Sequence, residues 1–80
     1  MINEEQLYIL IGRKIRFVRE KQGISQQDLA AWCNIEKSNL CRIESGRTNL
    51  TLKSLFKISK SLNIHIRELM DVEIESTDLK

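Results

Sequence analysis

The stretch Ser25-Gln26-Gln27-Asp28-Leu29-Ala30-Ala31-Trp32-Cys33-Asn34-Ile35-Glu36-Lys37-Ser38-Asn39-Leu40-Cys41-Arg42-Ile43-Glu44 decides how this chain folds. Ser25 followed three residues later by Asp28 is a helix start. The serine oxygen takes a first-turn N–H, and the acid suits the positive end of the helix dipole. Leu29, Ala30 and Cys33 then fall on one helical face. Asn34 is a stop, because its short polar side chain tolerates the left-handed conformation. Only Asn34, Ile35 and Glu36 separate this helix from a second one, whose Leu40 and Ile43 are again three apart and which Gly46 ends. Two short helices joined by a three-residue turn fit the unit in which the turn holds the second helix at a steep angle to the first.

Upstream, Asn3 reads as a cap with Gln6 reaching back to it, and Leu7, Ile11, Ile15 and Val18 form one apolar stripe that ends at Gly23. Downstream, Arg47 to Leu50 form a loop and Thr51 caps a fourth helix carrying Leu52, Leu55, Phe56, Ile58 and Leu62. Asn63 ends it. His65 stands at the cap of a short fifth helix with Ile66, Leu69 and Met70. The reading is an all-α, compact five-helix bundle. Residues 1–70 form one domain and residues 71–80 an acidic C-terminal tail, in which Val72 and Ile74 alternate with acids.

Eighty residues without proline and with only four aromatic side chains favour this helical reading. The longest apolar run, Leu7 to Ile11, is far too short for a membrane span, and the polar, acidic N-terminus is unlike a secretory signal, so a cytoplasmic location away from membranes is expected. Cys33, Cys41 and the single histidine do not make a metal set; both cysteines read as reduced, partly buried small side chains. No cofactor is expected. With no paired acids and no glycine-rich phosphate loop, no enzyme is expected either.

The net charge is only +2, but it is unevenly spread. Residues 13–60 carry eleven Lys/Arg against four acids, whereas residues 68–78 carry five acids and no base. A basic body suits a polyanion, since Lys and Arg displace counterions from phosphates. Charge alone does not separate that reading from ordinary solvated helix surface. The steeply angled helix pair does, because it is the helix-turn-helix unit: its second helix enters the major groove while the first crosses the backbone.

Four strings in register then resemble the Cro/phage-repressor-like (Xre) helix-turn-helix regulators. They are Ile11-Gly12-Arg13-Lys14-Ile15-Arg16; Arg19 through Ala30; Leu40-Cys41-Arg42-Ile43-Glu44-Ser45-Gly46-Arg47; and Leu52 to Leu55 with Ile58 to Ile64, Glu68 and Leu69. The likeness covers roughly residues 11–70. It implies a lambda-repressor-like DNA-binding domain that acts on double-stranded DNA as a transcriptional regulator, expected to be a repressor on a palindromic operator. Residue by residue, it implies that Gln26 touches a phosphate or a base edge, and that Lys37, Ser38 and Arg42, with Asn39 beside them, face bases. Ser45, Arg47, Thr48 and Asn49 match a backbone-contacting loop, and Arg19 with Glu44 a buried ion pair. Homodimer contacts are expected near the C-terminal end, at Ile66, Met70, Val72 and Ile74.

The chain departs from the family at Glu36, where Ser or Thr is usual, and at Leu50, where proline is common. Leu10, Phe17 and Trp32 stand where polar residues are frequent. Trp32 is expected to be partial core; Leu10 and Phe17 read equally as an interface or as surface covered by the tail. The alternative function is an antitoxin-like module that holds a partner protein, which requires an apolar surface of Leu10, Phe17, Trp32, Val72 and Ile74 that a self-dimer does not consume.

Overall fold

A computed structural model describes residues 3–72. Five helices follow one another: α1 (Glu4–Lys21), α2 (Gln26–Cys33), α3 (Lys37–Glu44), α4 (Leu52–Ser61) and α5 (Ile66–Met70). The fold is all-helical among the described residues. The starts follow the side-chain chemistry. Asn3 and Gln6 make a reciprocal capping box, Ser25 Oγ accepts from Asp28 N–H at 3.0 Å, and Thr51 Oγ1 accepts from Ser54 N–H at 3.1 Å. At α5 the Glu68 carboxylate accepts the His65 N–H at 3.0 Å. Asn34 and Asn63 end α2 and α4 in the left-handed region, at φ 56° and 57°.

The core is a single cluster fed by every helix. Ile15, Leu29, Leu40, Ile58, Leu62 and Leu69 are fully buried, each contributing roughly 1.5–3 kcal/mol. Leu7, Val18, Ile66 and Val72 pack partly against them. Four apolar positions, Cys41 among them, depart from expectation. Trp32 is 58% exposed, so it is surface and not partial core. Leu52 and Phe56 are likewise exposed, because α4 turns its Leu55–Ile58–Leu62 edge inward and leaves these two outside. Cys33 is buried, its thiol within 3.3 Å of Ser61 Oγ, whereas Cys41 is exposed. Ile74 lies outside the described residues.

One close approach sets where α3 sits. A Cβ on Gly12 would fall on the backbone carbonyls of Ile43 and Glu44, so only glycine lets α1 meet the end of α3 this closely. Backbone cannot swing aside as a flexible side chain would. Gly12→Ala is therefore expected to lower stability by about 1–3 kcal/mol, despite the better helix propensity of alanine. Denaturant unfolding at unchanged m-value checks this; a more stable variant would contradict the close packing.

Candidate nucleic-acid interface

The α1–α3 approach brings Arg19 to Glu44. The Arg19 guanidinium donates to Glu44 through Nε at 2.6 Å and Nη2 at 3.0 Å, and its Nη1 donates to the Ile24 carbonyl at 2.7 Å. Both side chains are more than nine-tenths buried. The hydrogen bonds to Glu44 raise the Arg19 pKa above its usual value, outweighing the burial that lowers it. Among the described residues no buried side-chain polar atom lacks a partner. The pair thus fastens α1, the α1–α2 turn and the end of α3 together. Gln26, the first residue of α2, joins it: its Nε2 donates to Glu44 Oε1 at 2.9 Å.

Against this anchor, α2 and α3 are held by the short turn Asn34–Glu36. The Ile35 N–H bonds to the Ala30 carbonyl at 3.0 Å, and Ile35 packs on the core. The N-terminal end of α3 faces solvent. Glu36 stands at the cap without a side-chain cap bond, so the departure from Ser or Thr leaves the first N–H groups of α3 without that partner. Lys37 and Ser38 are exposed there, Asn39 is half-buried, and Arg42 is exposed one turn on. Leu40 and Ile43 point into the core. This is the division a groove-entering helix needs: polar and cationic side chains outward on one face, anchoring side chains inward on the other.

The loop after α3 begins with Ser45, whose Oγ donates to the Cys41 and Arg42 carbonyls at 3.0 and 3.2 Å. Those bonds occupy the Ser45 hydroxyl within the protein. Gly46 follows at φ 74° with its Cα against Ile9, where a Cβ would come within 2.6 Å of the Ile9 backbone. Arg47 and Asn49 are exposed beyond it and Thr48 is half-buried. Gly46 therefore seats the loop on α1 and turns Arg47 outward.

The remaining expected positions lie elsewhere. Ile66 and Val72 are half-buried and Met70 is half-exposed at the α5 end. Phe17 lies between Lys14 and Lys21, with each Nζ within 6 Å of the ring centroid. Phe17 lines a groove of α1 and α5, whereas Trp32 lines a groove of α2 and α4, and Leu10 is half-buried. Phe17 and Trp32 therefore do not share a groove. Sequence reasoning missed the Gln26–Glu44 bond; the signal was the coincidence of a glutamine at a helix start with an acid already assigned to a buried pair.

The α2–α3 pair joined by the short turn Asn34–Glu36, with α3 presenting its polar face, defines a helix-turn-helix protein. The helix-turn-helix family model (HTH_3) matches residues 15–69, and the chain belongs to this family of transcriptional regulators. It is 36% identical over 64 residues to the control protein C.BamHI of Bacillus amyloliquefaciens, covering 79% of each chain. Among solved structures it resembles the restriction-modification controller protein C.AhdI of Aeromonas hydrophila, with TM-score 0.76 and 31% identity over 78% of this chain and 94% of that one. It also resembles SinR of Bacillus subtilis, the master regulator for biofilm formation solved in complex with DNA, with TM-score 0.70 and 34% identity over 76% of this chain and 98% of that one. These relatives are regulators, and the chain is not an enzyme. No helix among the described residues is long and apolar enough to cross a membrane.

Proposed function

We propose that the protein is a sequence-specific regulator of transcription, a repressor, that places α3 in the major groove of a palindromic operator in double-stranded DNA. The observation that carries this reading is the outward face of α3, where Lys37, Ser38 and Arg42 stand clear of the core while Leu40 and Ile43 anchor the helix. The likeness to SinR, solved with DNA, supports it. Residues 1–70 are the DNA-binding domain and residues 71–80 an acidic tail, whose charge is unfavourable near phosphates. Lys37, Arg42 and Ser38 read bases with Asn39 beside them, Gln26 contacts the duplex from the start of α2, and Arg47, Thr48 and Asn49 hold the backbone. Ser45 positions that loop. Two copies pair through Ile66, Met70, Val72 and Ile74. Phe56 extends this surface, since it shares a groove with Ile66.

Titration of short duplexes with single-residue variants tests the assignment. Arg42→Ala or Lys37→Ala is expected to cost about 1–3 kcal/mol on the preferred site and to relax selectivity at one or two base pairs. Arg47→Ala is expected to weaken preferred and random duplexes alike and to flatten the salt dependence. Identical behaviour of all three variants would contradict the roles.

A further inference from the structure

Phe17 stands on the outer face of α1, with Lys14 before it and Lys21 after it. The ring is 58% exposed, and the two lysine nitrogens lie 5.9 and 5.8 Å from its centroid. A single exposed aromatic side chain needs no explanation by itself. This one, however, forms part of a groove between α1 and α5, together with Val18 and Ile64. The charges along the groove are segregated. α1 contributes Lys14 and Lys21, whereas Glu68 of α5 and Asp71 at its end contribute two acids. Among the described residues neither lysine is ion-paired with a carboxylate. An apolar floor between two cations fits a segment in which an apolar residue stands between two acids.

We propose that this groove is the seat of the chain's own acidic tail, with Ile74 against Phe17 and with Glu73 and Glu75 beside Lys14 and Lys21. The tail residues lie outside the described ones, but the chain enters them at the right place. Asp71 lines the groove, and Val72 packs on the core directly after it. The stretch from Glu73 to Leu79 reaches roughly 23 Å when extended, against about 10 Å between positions 14 and 21 on a helix. Covering Phe17 removes apolar surface from water and supplies most of the hold. Exposed ion pairs add little each, so the lysines chiefly fix the register. Glu68 and Asp71 repel the tail's acids and direct them to the lysine side. Those two residues also line the shallow groove beside Met70, so a tail seated here carries Ile74 to the edge of the α5 surface proposed for pairing.

NMR of the full chain tests this. No duplex enters the experiment, so its failure leaves the DNA reading intact, and failure of that reading leaves the seating intact. Contacts between the Phe17 ring and the Ile74 methyl groups are expected. A tail that makes no such contact, or that lies on another face, overturns the proposal. In an equal mixture of labelled and unlabelled chains the contacts are expected within one chain. Contacts found only between chains would make a second copy the occupant and overturn it as well. Lys21→Glu, at an exposed position, is expected to shift the balance of seated to unseated tail about two- to fivefold toward unseated. Glu75→Lys in the same chain is expected to restore it. Should Lys21→Glu not fold, Glu73→Gln with Glu75→Gln makes the same test without altering α1, with the same shift expected. A Phe17–Ile74 contact indifferent to these charge changes overturns the assigned register.

Discussion

Glu44→Ala is expected to lower the stability of the domain by about 3–5 kcal/mol, because it strands the Arg19 guanidinium, 7% exposed, without its carboxylate. In a domain of this size that is a large share of the total, and the melting temperature should fall by about 12 °C or more. The loss is mostly the cost of a buried charge left alone, so removing both partners, as in Arg19→Met with Glu44→Met, should cost less than Glu44→Ala. Arg19 has a raised pKa, so its contribution is fully present below the ordinary arginine value and is lost only as pH climbs through a still higher one. The difference between wild type and Glu44→Ala should therefore stay flat from neutral into moderately alkaline buffer. Thermal melts at two such pH values check both statements. Unchanged melting of Glu44→Ala would show that the pair does not hold α3.

The second large effect concerns pairing. One α3 spans only a few base pairs, and two copies on a symmetric site place their recognition helices about one helical turn, roughly 34 Å, apart. Linking two half-site contacts in this way raises affinity by about 10²–10⁴-fold over one. Met70 is the probe of choice, being half-exposed at the end of α5, whereas Val72 packs on the core and a charge there would disturb folding as well. Met70→Asp is expected to sediment as a monomer at concentrations where the wild type is a dimer, and to lose that factor on the full site while keeping its half-site affinity. A dimer unaffected by Met70→Asp would move the interface away from α5, with exposed Phe17 on α1 as the next candidate.

The helix limits were legible because they depend on local chemistry. Asn3, Ser25 and Thr51 cap through bonds to residues three positions on, and Asn34 and Asn63 stop helices by a conformation few other residues adopt cheaply. Periodicity was less able to rank apolar positions within a helix. It placed Leu52 and Phe56 with Leu55 and Ile58, yet which of them turns inward depends on how α4 packs against α2 and α5. Trp32 was misjudged for the same reason: it follows Leu29 by three, but α2 turns Leu29, Ala30 and Cys33 inward and leaves Trp32 outside. The role of Gly12 was not readable at all, since nothing near it in the chain announces that the carbonyls of residues 43 and 44 will lie against it. The outward placement of Lys37 and Arg42 was legible from the inward spacing of Leu40 and Ile43. The bond from Gln26 to Glu44 needed the three-dimensional meeting of α1, α2 and α3.

Selection of bound duplexes from a random pool, followed by competition against random DNA over a range of salt, tests the regulator reading most directly. A two-fold symmetric sequence is expected to emerge, with half-sites one helical turn apart, beating random duplex by about 10³-fold or more, with affinity falling steeply as salt rises. Retention of DNA at low salt with no sequence enriched in any pool would contradict it, and would reduce the basic face of the protein to a nonspecific electrostatic surface.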